Sequence, residues 1–202
     1  MEHRVVVVDY DALLDPTAQL SDAIERAFGP DGLGILTVRG VPALPARRAR
    51  LLPLAARFAR LPDAVKARYE DASSRYSFGW SCGREALRQG QPDTHKGSFY
   101  ANPLRDEVTN DAALLARFPG YCRPNVWPRR ELPELEGAFK ELGALIIEVG
   151  LLLAQRCDAY VAAAGAAAAA AAAPGRLHDV IARSPCPKVT PLVPLPCRKS
   201  CV

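Results

Sequence analysis

The segment "LPELEGAFKELGALIIEVGLLLAQRCDAYVAA", residues 132–163, constrains the fold of this chain more than any other. Apolar residues recur at Leu135, Phe139, Leu142, Ile146, Val149 and Leu153, in alternating steps of four and three. That spacing keeps them on one buried stripe of a helix. Pro133 suits a first helical turn, and Glu131, Glu134 and Glu136 suit the positive end of the helix dipole. At ~1.5 Å per residue, a helix over 132–162 spans on the order of 45 Å. It is expected to back a sheet.

Strands to be backed are expected upstream. "RVVVV" (4–8) is a β-branched run closed by acidic turn residues, and "GILTVRG" (34–40) is a second run held between glycines. Between them Leu20, Ala23, Ile24, Ala27 and Phe28 share a helical face, with Asp15 or Thr17 as cap and Gly29-Pro30 as stop. "PARRARLLPLAARFARLPDAVKARYE" predicts two consecutive helices broken near Pro62, with Pro53 a local disturbance. A βαβ opening followed by helices implies a mixed α/β domain. In 71–130, "SSRYSFGWSCG" and "KGSFYANPL" predict short strands and loops, "NDAALLARFPG" a short helix, and "NVWP" (125–128) an extended segment. An alanine-rich stretch, 162–175, reads as a low-complexity surface loop. "RLHDVIARS" resumes a helical pattern through Leu177, Val180 and Ile181; after Lys188 no periodicity survives.

Charge narrows the partners. A net charge of +4 over 202 residues, with only short basic clusters such as Arg47-Arg48 and Arg129-Arg130, argues against nucleic acid. The most apolar stretch, 142–154, is too short for a membrane span and carries Glu148. No secretory signal is visible, so the expected setting is cytoplasmic, with the six irregularly spaced cysteines as free thiols.

Motifs for known chemistries are sparse. A two-His-one-carboxylate iron site needs a His-x-Asp/Glu pair and a later His. The triplets here are His3-Arg4-Val5, His95-Lys96-Gly97 and His178-Asp179-Val180, and none fits. Cys186, Cys197 and Cys201 supply one x3 pair, which is weak for zinc. "GPDGLG" lacks the spacing of a dinucleotide loop, and no serine sits in a Gly-x-Ser-x-Gly turn. What remains is an aromatic and polar group, Lys96, Tyr100, Asn102, Asn125 and Trp127. Such residues wall small-molecule pockets. They also pack loops over sheet edges, with Trp127 as core, and both readings stay open at this level.

The order "VVVVDYDALL", "GLGILTVRGVP", "FARLPDAVKARYE", "FGWSCGRE", "KGSFYANPL", "NVWP", the long helix and "SPCPK" resembles the N-terminal half of the iron(II)/2-oxoglutarate-dependent oxygenases, the isopenicillin N synthase-like group. The match is carried by order and spacing across 4–188, with Arg39-Gly40 where the family commonly has a histidine before the glycine. The resemblance implies an incomplete double-stranded β-helix (jelly-roll): N-terminal strands, flanking helices and a long backing helix, with the C-terminal barrel half missing. It divides the chain into a dioxygenase N-terminal region (1–161), the alanine-rich loop (162–175), a last family-like segment (176–188) and an unrelated Pro/Cys-rich tail (189–202) expected to lack order.

In full-length relatives the resemblance implies Fe(II), 2-oxoglutarate and a small organic substrate. The iron ligands, a His-x-Asp and a distant His, and the Arg-x-Ser pair for 2-oxoglutarate belong beyond "SPCPK". No residue here inherits a catalytic, cofactor-binding or metal-binding role. Val189 opens the unmatched tail, and because valine codons begin with GU, read-through of an intron is one origin for it. Two functions follow as expectations: a truncated oxygenase that is not catalytic alone, or a non-catalytic module that pairs with a full-length paralogue.

Overall fold

The computed structural model describes residues 4–84, 90–163 and 176–194. Along the chain run β1 (Val6–Asp9), α1 (Tyr10–Leu14), α2 (Ser21–Phe28), β2 (Leu36–Arg39), α3 (Leu44–Ala59) and α4 (Asp63–Lys66). They are followed by β3 (Gly79–Cys82), β4 (Lys96–Tyr100), α5 (Ala112–Arg117), α6 (Pro119–Cys122), α7 (Glu134–Ala163), α8 (Arg176–Arg183) and β5 (Leu192–Pro194). Two 3-10 turns, Ala67–Tyr69 and Ala72–Ser74, precede β3. Among the described residues no helix is long and apolar enough to cross a membrane. The chain divides into two compact units, Met1–Leu44 with Leu145–Ser184, and Pro45–Ala144 with Pro185–Val202.

In the first unit β1 and β2 pair in parallel, Val6 opposite Leu36 and Asp9 opposite Arg39. Parallel neighbours need a crossover, which α1 and α2 supply, so the βαβ reading holds. The register sets the Arg39 guanidinium on the Asp9 carboxylate at 2.8 and 3.0 Å. That pair is solvent-exposed, so it adds little stability. Tyr10, Val41 and Leu145 make a buried cluster, with Val38, Leu44, Val149 and Leu152 packed on it.

The start of the first helical segment departs from expectation. Asp15 does not cap a helix through Thr17; its Oδ1 accepts from the Thr17 N–H and hydroxyl at 2.8 and 2.7 Å. That local turn competes with helix. α2 therefore begins at Ser21, and the separate α1 forms directly after β1. The last carbonyls of α1 are met by Arg156 of α7, which donates to Leu13 O at 2.7 Å and to Asp15 O at 2.5 Å. A guanidinium there also opposes the negative end of the helix dipole.

In the second unit β3, β4 and β5 form an antiparallel sheet in that order. Its core is aromatic. Phe58 of α3 meets Trp80 of β3 at 5.4 Å and Phe99 of β4 at 5.1 Å between ring centroids. Trp127 stacks on Phe99 at 5.8 Å and meets Phe139 of α7 edge-on at 5.4 Å. Gly97 makes this packing possible, because a Cβ there would lie 1.9 Å from Trp80 Cη2. Lys66 is buried, its ammonium donating to Ala59 O at 3.1 Å and pairing with Asp63 at 3.0 Å. It thus closes the end of α3 across the Leu61-Pro62 break that the sequence predicts.

Two further expectations are corrected. α7 forms over nearly the predicted span, but Ile146 is 45% exposed, whereas Leu145 is buried. At 3.6 residues per turn a stripe written in steps of four and three drifts around the helix, and the burial moves to the neighbouring position. The tail is the second case. Beyond Lys188 no element is expected, yet β5 pairs with β4, Ser98 opposite Leu192 and Lys96 opposite Pro194. Val189 and Ala101 exchange backbone hydrogen bonds at 3.2 and 3.4 Å. Proline is tolerated on an edge strand, and backbone pairing needs no side-chain pattern. Residues 164–175 of the alanine-rich stretch and 195–202 of the tail lie outside the described residues, as do His3, Cys197 and Cys201.

Candidate functional site

The second unit carries a concavity of about 300 Å³ lined by Arg75, Tyr76, Ser77, Ser81, Arg84, Tyr100 and Lys188. Its rim begins in the turn before β3. The hydroxyl of Ser74, fully buried, donates to Asp71 O at 2.8 Å and accepts from the N–H groups of Ser77 and Phe78 at 3.0 and 3.1 Å. This clasp holds Arg75 and Tyr76 at φ 57° and 58°, two successive non-glycine residues in the left-handed region. Such conformations cost about 1–3 kcal/mol each and persist only where the surroundings over-determine them.

Among the described residues, three cations, two phenols and two hydroxyls line the concavity, and no carboxylate does. Arg84 donates to Glu70 Oε2 at 2.6 Å and lies 4.3 Å from the Tyr76 ring centroid. The hydrogen bond to Glu70 raises the Arg84 pKa above its ordinary value. Lys188 lies 4.6 Å from the Phe78 ring centroid and donates to Gly120 O. Partial burial of its ammonium lowers the Lys188 pKa.

Of the five residues singled out in the sequence, Tyr100 lines this concavity. Lys96 instead borders a depression of about 10 Å³ beside Asp93, room for no more than a water molecule. Asn102, Asn125 and Trp127 do come together, around Asp106. The Asn102 N–H donates to Asn125 Oδ1 at 2.8 Å, and Asn102 Oδ1 accepts from the N–H groups of Leu104 and Arg105. Asn102 Nδ2 also donates to Pro185 O at 2.9 Å, tying in the chain that leads to β5. Asn125 Nδ2 and Trp127 Nε1 donate to Asp106 Oδ1 at 3.0 and 2.7 Å, and Lys140 donates to Asp106 Oδ2 at 2.7 Å. The polar groups of this trio are thus occupied by protein. Burial pushes the Asp106 pKa up, but the hydrogen bonds from Lys140, Trp127 and Asn125 outweigh it and bring it down to about 2.

Sequence reasoning did not single out Arg75, Ser77, Ser81, Arg84 or Lys188. Nothing in "SSRYSFG" signals the left-handed pair, because neither position is Gly or Asn. Lys188 enters the site only through the return of the chain beside β4.

The iron set implied by the sequence resemblance does not fit the described residues. No group of three or more His, Cys, Asp or Glu side chains placed to hold a metal occurs among them. The Asp179 carboxylate pairs with Arg183 at 2.6 Å. Asp158 spends both oxygens on the backbone N–H groups of Leu177 and His178, at 3.0 and 2.9 Å. At Cys186, burial and the neighbouring Cys122 raise the thiol pKa, which favours the protonated thiol over the ligating thiolate.

Neither a family model nor a curated protein matches the sequence. Solved structures do match. A full-length Neurospora crassa protein in complex with alpha-KG superposes with a TM-score of 0.58 at 19% identity, over 78% of this chain and 47% of that one. The same Neurospora crassa protein in complex with alpha-KG and 5-formyluracil gives 0.56 at 17% identity, over 78% and 44%. JOX2 in complex with 2OG, Fe and JA gives 0.52 at 17% identity, over 78% and 40%. The chain therefore spans less than half the length of each of these structures. Its mixed α/β fold, two small sheets and the long α7, is similar to part of the fold of these alpha-KG- and 2OG/Fe-bound structures.

Proposed function

We propose that this chain is a partial iron(II)/2-oxoglutarate oxygenase, a substrate-side wall and backing helix without the half that binds iron and 2-oxoglutarate. The observation that carries the reading is the pairing of 78% coverage of this chain with 40–47% coverage of the structures it matches. Such an enzyme acts on a small organic molecule, and here the concavity at Tyr100 is the part of the wall offered to one. Alone, the chain binds but does not turn over.

The test is succinate release from 2-oxoglutarate by the purified chain supplied with Fe(II) and ascorbate. The expected result is release no faster than from the same mixture without protein. Catalytic turnover above that background would overturn the reading.

A further inference from the structure

We propose that the concavity framed by the Arg75-Tyr76 turn, β3, β4 and Lys188 is a binding site for the oxyanion group, carboxylate or phosphate, of a small organic molecule. This rests on and deepens the reading of the concavity as the wall offered to a small organic molecule, and the case is carried by its donors. The Arg75 guanidinium has no hydrogen-bond or ion-pair partner among the described residues. Ser77 and Ser81 likewise have hydroxyls without a side-chain partner there, and Ser81 is 7% exposed. Lys188 spends one of three N–H donors on Gly120 O and has two left. These groups all face one space, and hydrogen bonds from cationic donors to carboxylate or phosphate are the strong ones.

The surroundings favour the same ligand. Among the described residues, the Glu70 carboxylate beside the concavity is paired with Arg84, and Arg75 and Lys188 add positive charge to the lining. Phe78 and Tyr121 stand beside the Lys188 ammonium, removing water from one side of it and strengthening its field toward the concavity. The left-handed pair gives the strain an employment: it turns Arg75 and Tyr76 into the rim. A volume of about 300 Å³ accommodates a small molecule, not a macromolecule.

The test is a titration of the whole chain, without iron, with inorganic phosphate and separately with benzoate at low ionic strength, followed by amide NMR. Saturable shifts at Ser77, Ser81 and Tyr100 are expected for at least one probe. The tighter probe tells a phosphorylated ligand from a carboxylate. Arg75→Gln and Lys188→Gln should each weaken binding about tenfold, as loss of a charge-assisted hydrogen bond does. Arg48→Gln, which removes the same charge from an exposed site in α3, should leave it unchanged. Thermal unfolding of each variant checks that it is folded; with Arg75 exposed and unpartnered, Arg75→Gln should unfold as wild type does. Absence of saturable binding to both probes, or an equal effect of all three substitutions, would overturn the proposal. Because no iron or 2-oxoglutarate is present, either outcome is independent of the succinate assay.

Discussion

Asp106 shows how much one side chain can organise. Three donors from three residues, Asn125, Trp127 and Lys140, converge on its two oxygens, and Glu136 shares the Lys140 ammonium at 2.7 Å. The folded pKa of about 2 lies below the ordinary 3.8. A depressed carboxylate contributes stability above its unfolded pKa and loses it as pH falls through the folded one. The contribution is thus complete at neutral pH and lost between 3.8 and about 2. With the side chain 38% exposed, solvent screening reduces the value to about 1 kcal/mol. Urea unfolding should show that loss in the wild type, while Asp106→Asn starts less stable and lacks the acid-dependent increment.

Gly97 is the second decisive residue. Any side chain there collides with the Trp80 ring at 1.9 Å, in the middle of the aromatic core. Gly97→Ala should therefore destabilise by about 1–3 kcal/mol, the usual effect of overpacking. A lowered denaturation midpoint, with lost dispersion of the aromatic NMR signals, is the readout. An unchanged midpoint would mean that the indole has room to move.

At the scale of elements, α7 does more than bury a stripe. Its Arg156 closes the end of α1, and its Asp158 caps the start of α8 by accepting from two backbone N–H groups. α8 needs this help, because Leu177, Val180 and Ile181 remain 44%, 62% and 39% exposed, so burial contributes little to it. Asp158→Ala should cost about 1 kcal/mol locally, the typical value of a lost cap. Hydrogen exchange at the α8 amides should accelerate, with little change at β3 and β4. The cap could not have been found from local sequence, since Asp158 and His178 are linked across the alanine-rich stretch. The helix itself was legible, because Leu177, Val180 and Ile181 carry their own period.

For the whole molecule, periodicity and punctuation in the sequence determined the element order. The β-branched runs, the Pro62 break and the long stripe of α7 act through contacts close in sequence. Their order also sufficed for the resemblance drawn from the sequence, and at the level of fold the chain matches part of solved structures bound to alpha-KG or to 2OG and Fe. Tertiary structure alone decided which polar residues meet. Asn102, Asn125 and Trp127 were chosen for residue type, and the fold gathers them around Asp106. Tyr100 meets Arg75 and Lys188 because a strained turn and a returning strand place them together. Backbone pairing of β5 with β4 is the clearest case: its hydrogen bonds come from groups that every non-proline residue shares, so no side-chain pattern could have announced it.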